Sequence, residues 1–340
     1  MAYRGVNLGN WLVLERWMKP ALFEPTEAKD EYSLCTALGR DAAEKRLREH
    51  RETFITREDF AWLKSHGFDA IRLPIGYWLL EPDGPFVGGI EYLDRAMDWC
   101  DEFGIAMNID LHGLPGNQGP EHHSGREKFY RWPFDAEYLP RSLDFVEAIA
   151  QRYRDRRCVK MYSVVNEPEM TLDAGFLQKF YDLSTERIRR HMPADRVAVV
   201  IAAFTDRRLP EFHRKTVGQN ILTDIHPYYC FGPPEPADLP RVAIHSADWA
   251  LARLKEFGPQ DLIVGEWSLG LSPANGEALK ALPTAKQDQI MRAFAANQVL
   301  AYDNTAGWFF WSYKVQSDRE LTSLCWGARN AVERGWLSVG

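Results

Sequence analysis

Cysteine is scarce and dispersed. Cys35, Cys100, Cys158, Cys230 and Cys325 are widely separated, odd in number and never in a C-x-x-C pair. That pattern argues for reduced thiols and against a structural zinc site. Basic charge is also short: 41 lysines and arginines face 48 aspartates and glutamates, a net −7, which offers no positive field for nucleic acid. No apolar run reaches the roughly 20 residues of a membrane span. No G-x-G-x-x-G follows a strand-like run, so the phosphate-binding turn of a dinucleotide fold is missing. Internal repeats and low-complexity tracts are absent. The first strand-like run begins near Arg4, leaving no room for a signal peptide, so the expectation is a cytoplasmic protein or a secreted one already relieved of its leader.

What the 340 residues do contain is alternation. Short apolar runs, β-branched or aromatic, occur at Gly5–Leu8, Ala70–Leu73, Ile105–Leu111, Met161–Val165, Val197–Ala202, Ile221–Ile225, Leu262–Val264 and Trp308–Trp311. They are too short for helices and continuous in hydrophobicity, as strands buried on both faces are. Helix-period segments lie between them. Thr56-Arg57-Glu58-Asp59 reads as a capping box before Phe60 and Leu63. Leu143, Val146, Ile149 and Tyr153 form one apolar stripe, Leu177, Phe180 and Leu183 another, and Ile290 and Phe294 begin a third. Eight strands with helices between them and no long linker predict an α/β fold, a (β/α)8 TIM barrel in a single domain over residues 1–340. Gly113–Gly125 and Cys230–Pro240, rich in glycine or proline, read as long loops over one face.

Chemistry-bearing side chains gather at the strand ends. Glu167 closes Ser163-Val164-Val165-Asn166-Glu167 and Glu266 closes Leu262-Ile263-Val264-Gly265-Glu266, so each leaves the core at the strand's C-terminal edge. In a parallel barrel that edge carries the active site, and two carboxylates meeting there are what cleavage of a glycosidic bond requires. Arg72, His112, Asn166, His226, Tyr228 and Trp311 fall at further strand ends. Each alone has a structural reading: Arg72 could neutralise Asp69 or Asp110, and the tryptophan could fill core. Their recurrence at one strand end after another points to a site.

The stretches Arg4-Gly5-Val6-Asn7-Leu8-Gly9-Asn10-Trp11, Ile71-Arg72-Leu73-Pro74, Asp110-Leu111-His112-Gly113, Asn166-Glu167-Pro168, Asp224-Ile225-His226-Pro227-Tyr228, Val264-Gly265-Glu266-Trp267 and Gly307-Trp308-Phe309-Phe310-Trp311 resemble, in order, those of glycoside hydrolase family 5 and its exo-β-1,3-glucanase branch. The resemblance implies a cofactor-free and metal-free double displacement on a β-glucan or β-glucoside. It makes Glu167 the acid/base and Glu266 the nucleophile, with Arg72 and Tyr228 holding Glu266. His112 and Asn166 would bind sugar hydroxyls, His226 would neighbour the acid, and Trp311 would floor the −1 subsite. It also implies that Glu15 contacts the non-reducing end and that Phe231 stands at the entrance.

Two expectations follow from charge. A nearby arginine and tyrosine should lower the pKa of Glu266, whereas burial and the second carboxylate should raise that of Glu167. The resemblance weakens at Gly119-Pro120-Glu121-His122-His123-Ser124-Gly125, where the branch carries an aromatic and an acid and this chain has Glu121 and His122. His122, uncharged at neutral pH, is expected to hold the sugar's 4-OH and 6-OH weakly. Glu121, His122 and His123 also suggest a metal site, but adjacent loop residues rarely converge on one ion. A broad β-glucosidase of the same family and a non-catalytic sugar-binding barrel remain as alternatives; the second predicts the loss of one glutamate, and both are there.

Overall fold

The computed structural model describes residues 2–204, 219–233, 235–246, 248, 251, 252, 254, 258, 261–317 and 319–340. Pro234, in the expected loop over Cys230–Pro240, lies outside them. Eight parallel strands close a barrel in sequence order: β1 Tyr3–Asn7, β2 Ala70–Gly76, β3 Ala106–Gly113, β4 Val159–Ser163, β5 Ala198–Phe204, β6 Ile221–Ile225, β7 Leu262–Trp267 and β8 Gly307–Phe310. β1 pairs with β8 to complete the ring. The (β/α)8 expectation therefore stands, with β2 and β7 each running three residues past the expected ends and β4 starting and stopping two earlier. The capping box at Thr56 and Asp59 opens the helix Arg57–Ser65. The helical stripes lie on Tyr138–Arg152, Ala174–Arg189 and Thr284–Tyr302, their apolar faces packed on the outside of the barrel.

Period-two alternation sorts each strand into two sets. One set, including Val6, Ile71, Met107, Tyr162, Val199 and Val264, meets the helices. The other fills the barrel. Its lower layer is apolar: Ala70, Ala106, Met161, Ala198, Leu222, Ile263 and Phe309. Two residues further along the strands the same positions become polar and buried, as Asn7, Arg72, Asn108, Ser163 and Asp224. The barrel thus ends in a polar floor on which the site stands.

Between β1 and β2 the chain makes a long excursion through the helices Glu31–Leu38, Arg40–Phe54 and Arg57–Ser65, with a small apolar cluster of its own around Leu14, Phe23, Leu34 and Leu47. The excursion is tied to the catalytic edge by Trp78, whose Nε1 donates to Glu31 Oε1 at 3.0 Å, while Arg51 Nη2 donates to the same oxygen at 3.1 Å. The Trp78 ring lies so close to Gly113 and Gly125 that a Cβ would come within 2.5 and 2.3 Å of it. Only glycine fits at either end of that loop. Among the described residues, no helix is long and apolar enough to cross a membrane.

Candidate active site

Glu266 reaches the axis because the β7–β8 register shifts between Val264 and Trp267. Strict alternation would have turned it outward; the irregularity re-aims it. The preceding Gly265 donates its N–H to Asp224 Oδ1 at 2.6 Å, and a Cβ there would collide with that carboxylate. Glu266 is then held from two sides. Arg72 Nη1 donates to Oε1 at 2.8 Å and the Tyr228 hydroxyl donates to Oε2 at 2.8 Å. Arg72 does not pair with Asp69, which accepts instead from the Arg4 N–H. It lies 3.1 Å from Asp110 and donates to Asn7 Oδ1 at 2.9 Å and Asn166 Oδ1 at 2.7 Å.

Glu167 follows β4 with φ +38°, a left-handed conformation that is costly for a side chain of this size and that clusters at functional sites. Its two oxygens meet two imidazoles. His226 Nδ1 lies 2.6 Å from Oε1, and His123 Nε2 lies 3.4 Å from Oε2. The far edge of His226 faces Asp224 at 3.4 Å, and its Nδ1 is also 3.6 Å from Glu266. His112 is fixed by Asp110 at 2.7 Å, contacts Asn166 Nδ2 at 3.3 Å, and lies parallel to the Trp311 ring at 5.5 Å.

These groups line one cavity of about 860 Å³, with Glu15, Trp17, His122, Met170, Phe231 and Trp326 on its outer wall. Of the residues singled out from sequence, all line it except Arg72, which lies beneath Glu266. Glu15 comes from the loop after β1 and His122 from the loop after β3; they meet at 3.2 Å, and Trp17 donates to the same Glu15 oxygen at 2.7 Å. Phe231 is 72% exposed, so it stands at the mouth. Asn7, Asp224 and Trp17 were not singled out, Asp110 was weighed only as a charge partner of Arg72, and His123 only as a metal ligand. The signal for Asn7, Asp110 and Asp224 was their parity: Asn7 stands opposite Arg72 in the β1–β2 register, Asp110 two residues before His112, and Asp224 two before His226.

The charges depart from both expectations. Burial pushes the Glu167 carboxyl upward, but the hydrogen bond to His226 and the positive charges of His226 and His123 overcome it and hold the group down at about 2. Burial also raises Glu266; His226 and Arg72 pull it back, Glu167 repels, and the net shift is upward. Arg72 offsets only part because its guanidinium is divided among four partners. Burial alone would lower His226, yet the charges of Glu266 and Asp224 and its hydrogen bonds raise it well above the ordinary value. Both shifts run the same way, favouring the proton on His226 and an ionised Glu167 across the 2.6 Å contact. His122 is corrected as well. Its hydrogen bond to Glu15 raises its pKa, which favours the charged ring beside Glu15 over the neutral one expected.

A pH profile tests this proton placement. kcat/KM should be bell-shaped, falling on the acid side as Glu266 protonates and on the alkaline side as the His226–Glu167 pair loses its proton. Because the folded pKa of His226 is raised, the alkaline limb should lie high. In His226→Asn the only seat for that proton is Glu167, a carboxyl, and the limb should move to lower pH. An unmoved alkaline limb would refute the placement.

One oxygen from each glutamate and a nitrogen of His226 lie within 4.8 Å of one another, the one such grouping among the described residues that could surround a cation. Its donor set suits proton transfer better, since Arg72 and Tyr228 already donate to Glu266 and His226 Nδ1 lies at hydrogen-bond distance, 2.6 Å, from Glu167. Glu121, His122 and His123 do not converge: the two rings stand 72° apart and face different carboxylates.

The sequence matches the family model described as Cellulase (glycosyl hydrolase family 5) over residues 39–317. A glucan 1,3-beta-glucosidase from Blumeria graminis is 33% identical, spanning 98% of this chain and 86% of its own length. Glucan 1,3-beta-glucosidase 1 from Schizosaccharomyces pombe is 30% identical over 92% of this chain and 83% of its own. The solved rutinosidase from Aspergillus niger superposes with a TM-score of 0.79 at 19% identity, covering 98% and 97% of the two chains, a likeness of fold. With the family match running over most of the barrel and relatives aligned nearly end to end, the chain belongs to glycosyl hydrolase family 5.

Proposed function

We propose that the protein is a retaining exo-β-1,3-glucosidase that releases glucose from the non-reducing ends of β-glucan chains. The observation that carries the retaining mechanism is the approach of one oxygen of Glu167 to one oxygen of Glu266 within 4.8 Å. Retaining glycosidases hold their carboxyls about 5–5.5 Å apart, too close to admit a water between the second carboxylate and the anomeric carbon, while inverting ones need ~6.5–9.5 Å. Glu266 attacks the anomeric carbon as Glu167 protonates the departing oxygen. The glycosyl ester is then opened by water, which gives its proton to Glu167 and restores Glu266.

The proton for the first step comes from the His226–Glu167 pair. Sugar binding expels water and makes a charged pair costlier than a neutral one. Moving the proton from His226 Nδ1 to Glu167 leaves neutral imidazole and a carboxylic acid, with the total charge unchanged. Tyr228, its hydroxyl pKa raised well above 10 by burial and by Glu266 and Glu167, remains a donor throughout.

The 1,3-linkage is supported by the names of relatives about 30% identical over most of the chain. Exo action is supported by the Glu15–His122 contact, which joins two loops across the cavity wall. A pocket closed there admits chain ends only. Glucose, as the β-anomer, should be the first product from laminari-oligosaccharides, and polymer viscosity should fall slowly. An early ladder of oligosaccharides would contradict exo action, and α-glucose as first product would contradict retention. A broader β-glucosidase is favoured by the mouth, where Met170 and Phe231 expose apolar surface suited to an aryl leaving group; aryl glucosides in the same assay separate the two.

A further inference from the structure

His122 and His123 are adjacent, yet they serve different carboxylates. His122 Nε2 lies 3.2 Å from Glu15, on the outer wall, and His123 Nε2 lies 3.4 Å from Glu167. His123 Nδ1 is buried without a hydrogen-bond partner, so Nε2 is the working edge of that ring. Both residues sit on a single 3-10 turn, His122–Ser124. The base of the turn is pinned. Ser124 is fully buried, its hydroxyl accepts from Asn117 Nδ2 at 2.9 Å and donates to the Glu121 carbonyl at 2.8 Å, and Gly125 is pressed against Trp78. A unit this short and this tightly held moves as one piece.

We infer that His123 is a positioning residue for Glu167, and that the turn it shares with His122 makes this positioning depend on the sugar bound at Glu15. The inference rests on the glucosidase reading above. Glu15 Oε2 already meets both Trp17 and His122, so a terminal sugar hydroxyl that donates to that oxygen must displace His122. His122 gives way, the turn shifts, and His123 closes its gap on Glu167 Oε2 to hydrogen-bond distance. Catalytic contacts that are long in an empty site commonly tighten in this way. A carboxyl offers about four lone-pair sites, so Glu167 can be gripped by His226 and His123 and still present its proton to the glycosidic oxygen. The acid is thus aligned when a chain end fills the wall, and binding energy from a remote hydroxyl is realised as rate.

The test compares phenyl β-glucoside, whose leaving group needs protonation, with its 4-deoxy and 6-deoxy counterparts. The proteins are the wild type, His122→Ala, His123→Ala, His123→Gln and the double alanine variant. In the wild type, deleting the hydroxyl that meets Glu15 should lower kcat as well as raise KM. In His123→Ala, kcat for the parent glucoside should fall about tenfold, the worth of one well-formed hydrogen bond, and the same deletion should then change KM alone. His123→Gln, which keeps an N–H near the position of Nε2, should recover most of kcat and serves if the alanine variant fails to fold. The double variant should be no slower than His123→Ala. A wild-type response confined to KM, or kcat losses that multiply in the double variant, would overturn the inference and leave the glucosidase reading standing. A wild type that turns over no β-glucoside would remove both.

Discussion

Glu266→Ala should lose about 10⁵-fold in kcat, the scale at which removing a nucleophile leaves only binding and polarisation, while remaining folded. Folding is expected to survive because Arg72 keeps Asp110 at 3.1 Å and its two asparagine partners, so no buried charge is left alone. The cavity left by the side chain lies on the face opposite the leaving group, and azide can occupy it. With an activated aryl β-glucoside, azide should restore part of the rate and yield the α-glucosyl azide, since attack comes directly on the substrate. The configuration is read by NMR. Near-normal turnover, or a β-azide, would mean that another group attacks.

Glu167→Ala should behave differently according to the leaving group. Phenyl or glucosyl departure should slow by about 10²–10⁴-fold, the usual contribution of a general acid, while dinitrophenyl departure, which needs no proton, should be nearly unimpaired in the first step. The second step lacks its base, so the glycosyl ester should accumulate as a burst. Azide should then attack the ester and give the β-glucosyl azide, the opposite anomer from the Glu266 variant. A loss equal for every leaving group would remove Glu167 from the acid/base role. His226 stays behind in this variant, 3.6 Å from Glu266.

The barrel was legible because its strands are buried on both faces and its helices carry clean stripes; Thr56–Asp59 and the run Ile221–Ile225 fall where expected. The cavity-lining residues were legible because strand ends are marked in sequence by the change from apolar to polar. The floor beneath them was not. Asn7, Asp110 and Asp224 look like ordinary polar interruptions until closure of the barrel brings together residues as far apart as Arg72 and Glu266. Proton placement was harder still. Arg72 and Tyr228 suggested a lowered Glu266 and the paired carboxyls a raised Glu167, but the net shift depends on how Arg72 is shared and on two imidazoles contributed by different loops. The partner of His122 was hidden for the same reason: Glu15, which favours its charged form, lies 107 residues away in sequence.

The indole of Trp78 has a consequence for how such a site changes over time. It clamps the loop after β3 at Gly113 and again at Gly125, and is itself anchored through Glu31 and Arg51 to the excursion that carries the opposite wall. The ends of the loop are therefore fixed to the scaffold independently of its tip. Glu121, His122 and His123 can be exchanged for other side chains without disturbing the barrel, the nucleophile or the polar floor. Substrate preference and fold stability are inherited through separate parts of the molecule, and a lineage can explore new chain ends by editing three neighbouring codons.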